Sequence, residues 1–288
     1  MKKLLLAIVV IGILVVVFAK EQVQLVATTA KTFVLTPKLI KETGDSVKTR
    51  VIAPEGFLRT TYAKNSFAEY LQDYPLEAFG SKVINYNGKE YGYQAGHIGV
   101  FKLTVPDNGL MQCADALMRL RAEYLWDTNQ QEKIGFNFTS GDYCSWSKYA
   151  QGFRPIVNGN SVRFSKSAGQ DYSKENFYNY LNLIYTYAGT QSMADELITV
   201  SEPSELEVGD MMVSPGFPGH IVIIADKATH TDGRILLIFA QGNTPAQSVH
   251  VLKNSNDNGL SPWHLVPTGN KYLIPTYQFN DFKFIRFK

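Results

Sequence analysis

Residues 209–243 read GDMMVSPGFPGHIVIIADKATHTDGRILLIFAQGN, and this stretch decides the fold. It contains three apolar runs, at 209–213, 220–226 and 234–243, separated by segments rich in Gly, Pro, Thr and Asp. Short β-prone runs bounded by such turn residues are typical of strands. The stretch therefore predicts three consecutive antiparallel strands, with His220 at the start of the middle one.

The turn between the second and third strands predicts the neighbour of His220. If the loop is centred between His230 and Thr231, antiparallel pairing sets His220 opposite Gln241, with both side chains on one face. A slip of one residue moves Gln241 to the other face, and Asn243 is then the nearby alternative. We expect Gln241 to orient the imidazole; the alternative is a polar strand-end residue that only caps the sheet.

Composition narrows the class of protein. The chain has 288 residues, of which 45% are hydrophobic and 19% charged, so it has enough apolar residues for a packed core. The net charge of +2 gives no reason to expect nucleic acid as a partner. We predict a single globular domain over residues 49–288, preceded by a linker at 20–48.

The N-terminus has the layout of an export signal. Met1-Lys2-Lys3 precedes an apolar run at 4–19, which predicts either a cleaved signal peptide or an uncleaved membrane anchor over residues 1–19. Both interpretations predict an exported domain, either periplasmic or anchored to a membrane and facing the periplasm or the exterior.

A helix is predicted at residues 113–126. A step of about 100° per residue places Asp115, Arg119 and Glu123 on one stripe, which we interpret as a solvated face. Cys113 projects into the middle of the opposite, apolar arc. Arg121 also falls in that arc, which predicts either a buried arginine paired with a carboxylate or an arginine that supports a substrate or site.

Cys113 is the candidate nucleophile. A helix N-terminus favours a thiolate because its unpaired N–H groups stabilise negative charge, and Cys113 lies where the helix should begin. Cys144, the other cysteine, has no clear helix after it. Two alternatives stay open for Cys113, a disulfide with Cys144 in an oxidising compartment and an inert buried thiol.

The order of a cysteine at a helix start, a histidine at a strand start and a polar residue on the next strand resembles the NlpC-like and CHAP-type papain-fold cysteine hydrolases. The residues that carry this resemblance are 112–115, 209–213 and 219–223. It implies an α+β, papain-like core, with a Cys-bearing helix packed on an antiparallel sheet, plus an N-terminal β-rich elaboration. It also implies a cysteine peptidase or amidase that uses Cys113, His220 and Gln241 on peptidoglycan or another envelope peptide.

Residues 50–288 also resemble the exported bacterial domain-of-unknown-function family 4846. The matching segments are 54–57, 113–116, 119–124, 187–190, 218–220, 245–247 and 261–263. This resemblance implies a cell-envelope location and brings no assigned activity. The non-enzymatic alternative is therefore an inactive binding or structural module on the same scaffold.

Other side chains receive weaker assignments. Trp263 is a candidate for flanking a groove, with core packing as the alternative. His97 precedes Cys113 and breaks the papain-like order, and nothing in the spacing of His250 or His264 assigns them a role. The sequence has no His-Glu-x-x-His motif and no Cys-x-x-Cys pair, so we expect neither a metal nor a cofactor.

Overall fold

The computed structural model describes residues 39–288, which form a mixed α+β fold. Four of the six α-helices in this part of the chain begin directly after a serine whose side chain accepts a hydrogen bond from the first turn. The helices are α1 Val47–Arg50, α2 Phe67–Gln72, α3 Cys113–Asp127, α4 Trp146–Ala150, α5 Lys174–Tyr187 and α6 Thr190–Glu196. Two short 3-10 helices lie at Gln131–Lys133 and Pro203–Glu205.

One large sheet contains nine strands, all paired antiparallel. They are β1 Phe57–Arg59, β2 His97–Val100, β7 Ile198–Val200, β8 Met211–Ser214, β9 His220–His230, β10 Ile235–Gln241, β11 His250–Leu252, β12 His264–Leu265 and β15 Lys283–Arg286. Its main path runs β2-β11-β10-β9-β8-β15-β7, while β1 pairs with β9 and β12 with β10. The three strands predicted at 209–243 are thus β8, β9 and β10 at its centre.

Three hairpins stand outside the large sheet. They are β3 Gly135–Asn137 with β4 Tyr143–Ser145, β5 Phe153–Asn158 with β6 Ser161–Lys166, and β13 Lys271–Ile274 with β14 Tyr277–Asn280. The predicted α+β class and antiparallel sheet are confirmed. Within residues 39–112, both strands, β1 and β2, belong to the large sheet.

Helix α3 is covered on both sides, which makes the predicted solvated stripe wrong. Asp115, Arg119 and Glu123 are all buried. Arg119 forms an ion pair with Glu123 at 2.9 Å, and Tyr178 on α5 donates to the same carboxylate. The helical wheel found the stripe, but α5 and the loop before α3 cover it.

The predicted linker at 20–48 ends in ordered structure. Ile40 forms a bridge with Val51, and α1 follows from Val47. The predicted signal or anchor at 1–19 lies outside the described residues, as does the first part of the linker. Within residues 39–288, no helix has both the length and the apolar character needed to cross a bilayer.

Candidate active site

The start of α3 brings Cys113 to the start of β9. Burial raises the pKa of the Cys113 thiol, while three backbone N–H groups, those of Ala114, Cys113 and Ile221, lower it and favour the thiolate form. Ile221 directly follows His220, so the thiol lies beside the backbone of the predicted base. Gly242 allows this approach, because a Cβ there would lie 2.8 Å from the Ala116 Cβ and 3.0 Å from the Gln112 carbonyl oxygen.

Burial dominates the electrostatics of the thiol. The pKa of Cys113 is raised to about 11, mainly by removal of the thiol from water and to a lesser extent by the nearby Asp115 carboxyl. The three N–H groups act in the opposite direction and are outweighed. The expectation of a thiolate near neutral pH rested on the helix start alone. In the folded protein burial outweighs that effect, so the resting group at neutral pH is a thiol.

His220 is fixed by Gln241. The imidazole Nε2 lies 2.7 Å from Gln241 Oε1, and only 2% of His220 is exposed. Burial lowers the pKa of His220 to about 4, although the hydrogen bond to Gln241 acts in the opposite direction. The imidazole is therefore neutral at pH 7. Its Nε2 donates to the amide oxygen, and its Nδ1 keeps a lone pair.

A β-bulge places Gln241 on the His220 face. Along most of the β9–β10 hairpin, Ile235 pairs with Thr229 and Ile238 with Asp226, and this register would put Gln241 on the opposite face. The register shifts between Ile238 and Phe239, so that Ala240 pairs with Ile223. One extra residue in β9 exchanges the two faces on which the β9 side chains lie, relative to their partners in β10. Gln241 then becomes a diagonal neighbour of His220, so the predicted direct pairing is wrong while the shared face is correct.

The turn of the β13–β14 hairpin completes the polar cluster. The Thr276 hydroxyl lies 3.2 Å from the side-chain nitrogens of both Gln241 and Asn243. The amide nitrogen of Gln241 also lies 3.1 Å from His250 Nε2. Sequence reasoning did not assign Thr276 a role and left His250 unplaced, since no local pattern says which distant turn or strand meets β10.

Aromatic rings from β14 pack against the imidazole. The ring centroid of Tyr277 lies 4.8 Å from that of His220, and the Phe279 ring lies 5.7 Å away. Tyr277 is only half-buried, whereas Phe279 is fully buried. Cys113 is 8% exposed, so the thiol and the imidazole are both covered in this conformation.

Trp263, one of the predicted supporting residues, lies away from His220 and Gln241. Trp263 is fully buried, and its indole N–H donates to the Ile52 carbonyl at 2.8 Å. The neighbouring His264 pairs with Leu237, four residues before Gln241 along β10. Trp263 is thus a core residue near the far end of that strand, as its alternative interpretation predicted.

Arg121 lines a different cleft. Its guanidinium lies 5.0 Å from the Phe67 ring centroid and donates to the Lys288 carbonyl oxygen at 3.2 Å, which differs from the predicted carboxylate pairing. The cleft has a volume of about 400 Å³ and includes Met118 and Met193 among its lining residues, but neither Cys113 nor His220. Arg121 therefore does not belong to the thiol–imidazole cluster, by which we mean Cys113, His220, Gln241, Asn243, His250 and Thr276.

Cys113 and Cys144 are both free, so the structure contains no disulfide between them. Cys144 lies on β4, and the short helix α4 follows, capped by Ser145. The expectation that no helix follows Cys144 is therefore wrong. Burial raises the pKa of its thiol to about 12.

Metal-binding geometry is absent from the described part of the chain. Among residues 39–288, no group of three or more His, Cys, Asp or Glu side chains is arranged to hold an ion. The cluster instead consists of one thiol, two neutral imidazoles and amide and hydroxyl groups. Such a set can carry out nucleophilic and acid–base chemistry.

Comparisons with known proteins identify a family and nothing more specific. No curated protein matches the chain, and no solved structure does. The sequence model of one family matches residues 47–286, which is most of the chain and contains every member of the thiol–imidazole cluster. The chain therefore belongs to the family described as domain of unknown function 4846.

Proposed function

We propose that this protein is a cysteine hydrolase that cleaves an amide bond through Cys113, with His220 as the base and Gln241 as the residue that orients it. The observation that carries the proposal is the meeting of α3 and β9. Two facts there support it: the Ile221 N–H lowers the pKa of the Cys113 thiol, and the residue before Ile221 is His220, whose Nε2 lies 2.7 Å from Gln241 Oε1. A nucleophile, a base and an orienting group are the components that acyl transfer requires.

The chemistry begins from a neutral pair. His220 Nδ1 takes the thiol proton as the sulfur attacks the carbonyl carbon of the substrate, and the carbonyl oxygen gains the negative charge. The backbone N–H groups at the start of α3 stabilise this oxyanion. The intermediate collapses to a thioester when the C–N bond breaks, and the imidazolium returns its proton to the leaving amine. Water then attacks the thioester with His220 again as base, releasing a carboxylic acid and the free thiol.

Access to the thiol requires a side chain to move. Tyr277 packs on His220 and is the half-buried member of the aromatic pair, so we assign it as the residue that a substrate displaces. Displacement admits the substrate carbonyl and a hydrolytic water, while Phe279 stays in the core beneath the imidazole.

For the substrate, we propose a peptide amide of peptidoglycan or of another envelope peptide. The support is the resemblance of residues 112–115, 209–213 and 219–223 to papain-fold hydrolases of bacterial cell walls, together with the apolar segment at 4–19. On this proposal the core is papain-like and the domain acts outside the cytoplasm, either released or held by its N-terminal segment.

Digestion of purified peptidoglycan by the full-length protein tests the proposal, with soluble fragments and new amino termini identified by mass spectrometry. We expect new amino termini from the wild type, a loss of roughly 10³-fold or more in Cys113→Ala, and nearly unchanged rates in the matched control Cys144→Ala. Equal product from wild type and Cys113→Ala would overturn the proposal.

One observation favours a second function, that of a binding module on the same scaffold. Cys113 and His220 are both covered, and burial raises the pKa of the thiol to about 11. In that case the protein sediments with peptidoglycan and releases no fragments, and Cys113→Ala binds as well as the wild type.

A further inference from the structure

We propose that His250 is a positioning residue that sets the orientation of the Gln241 amide and thereby selects the tautomer of His220 that leaves Nδ1 as the base. The catalytic meaning of this inference rests on the proposed function, but the orientation itself does not. Three adjacent strands present His220, Gln241 and His250 in a row on one face of the sheet. Gln241 and His250 are direct partners in the β10–β11 pair, and the bulge in β9 turns His220 toward the same face.

The chain of hydrogen bonds begins at a backbone carbonyl. His250 Nδ1 lies 2.9 Å from the Ser248 carbonyl oxygen, which can only accept, so Nδ1 carries a proton. His250 is 4% exposed, and burial together with His97 lowers its pKa to about 3, with a smaller contribution from His220. The ring is therefore neutral at pH 7, and its Nε2 can only accept.

This acceptor determines which end of the Gln241 amide faces each histidine. The amide nitrogen lies 3.1 Å from His250 Nε2 and 3.2 Å from the Thr276 hydroxyl, so each of its two hydrogens has a partner. The amide oxygen is left to face His220 Nε2 at 2.7 Å. Because an oxygen can only accept, His220 Nε2 is protonated and Nδ1 holds the lone pair.

An amide needs such a partner because its two ends are nearly equal in shape. Rotating the Gln241 amide by half a turn exchanges its oxygen and nitrogen without changing the packing. The rotated amide would donate to His220 Nε2, the proton of His220 would move to Nδ1, and the base would be lost. It would also set the amide oxygen against the lone pair of His250 Nε2, so His250 disfavours the rotated form.

Nitrogen NMR of the protein labelled with ¹⁵N-histidine tests this inference directly. The sequence contains five histidines, and a His220→Gln variant assigns the signal of His220 by its absence. In the wild type we expect opposite tautomers, with His220 protonated at Nε2 and His250 at Nδ1. A His220 protonated at Nδ1 would overturn the inference without any variant having to fold.

The His250→Phe variant removes the acceptor and keeps a planar ring. We expect the ratio of the two His220 tautomers to shift toward Nδ1–H by about tenfold, the effect of one buried hydrogen bond. The matched control is His264→Phe, which removes an equally buried histidine at the far end of β10 and should leave His220 unchanged. An unshifted ratio in folded His250→Phe would refute the positioning role.

This experiment separates the inference from the proposed hydrolase. The tautomers are measured without substrate, so the expected shift together with absent peptidoglycan cleavage would retain the role of His250 and reject the hydrolase. Cleavage that depends on Cys113, together with an unshifted tautomer ratio, would retain the hydrolase and reject the role of His250.

Discussion

The protein holds two buried, free thiols in different surroundings. Cys113 begins α3 and Cys144 lies on β4, and burial raises the pKa of both, to about 11 and about 12. Their protonation at neutral pH is therefore the same. Burial by itself does not distinguish a nucleophile from a structural cysteine.

Their neighbours differ. Backbone N–H groups, including that of Ile221, lower the pKa of Cys113 against the larger effect of burial, and His220 directly precedes Ile221 in β9. For Cys144, the Tyr180 hydroxyl donates to the backbone carbonyl oxygen, and the charge of Arg154 lowers the pKa of the thiol against the larger effect of burial. The candidate nucleophile is therefore distinguished by nearby backbone N–H groups and a neighbouring neutral imidazole residue, not by a low pKa.

Replacing His220 should change the reactivity of Cys113 more than any other substitution considered below. His220→Gln should slow alkylation of Cys113 at pH 7 by about 10²-fold or more, because the thiol loses the group that accepts its proton. Alkylation of Cys144 should not change. Peptide mass spectrometry after timed iodoacetamide treatment measures both rates in one sample, and His264→Gln is the control. Equal Cys113 rates in the two variants would remove His220 from the site.

Asp115 provides a second, pH-dependent test. It is 6% exposed, and burial raises its pKa to about 7 against hydrogen bonds from backbone N–H groups. The unfolded carboxyl ionises near pH 4, so between about pH 4 and 7 the folded protein holds the extra proton and loses stability as the pH rises.

Asp115→Asn removes the loss of stability that the folded protein undergoes when the buried Asp115 carboxyl ionises. We expect the free energy of unfolding to increase by on the order of 2–4 kcal/mol at pH 8 and to change little at pH 4. Loss of the nearby carboxylate should also speed alkylation of Cys113 at pH 8 and leave Cys144 unaffected. Urea unfolding at the two pH values measures the effect, with the exposed Asp107→Asn as control. An equal increase in the free energy of unfolding at pH 4 and at pH 8 would contradict this explanation.

The smallest effect tests the contact that brings α3 to the sheet. Gly242→Ala places a methyl group against Ala116 and the Gln112 carbonyl, which should cost about 1–3 kcal/mol of stability. Alkylation of Cys113 should change while that of Cys144 does not. Gly92→Ala is the control, because a Cβ there has no neighbour within 4 Å. Equal destabilisation by both substitutions would show that the contact between α3 and the sheet does not require a glycine at position 242.

Much of the site was predictable because its parts are local. The apolar runs at 209–243 predicted β8, β9 and β10, and the helical period at 113–126 predicted α3 with Cys113 at its start. Each of these properties depends on a few consecutive residues and on the period of a helix or strand. The shared face of His220 and Gln241 was also expected, but in the structure it depends on the bulge in β9 rather than on simple alternation.

The rest depends on contacts between distant segments. A helical wheel cannot tell that α5 covers Arg119 and Glu123, and a turn centre cannot reveal the extra residue in β9. Likewise, the pattern at 271–280 gives no sign that Thr276 meets Gln241.

Hydrophobic period and turn residues act locally, so the sequence was enough to predict a cysteine at the start of a helix and a histidine at the start of a strand. The contact between the helix start and the strand, the burial that keeps the thiol protonated, and the position of His250 across from Gln241 all depend on tertiary packing. Strand pairing, the bulge and desolvation are set by the packing of the whole sheet, and no short stretch of sequence encodes them.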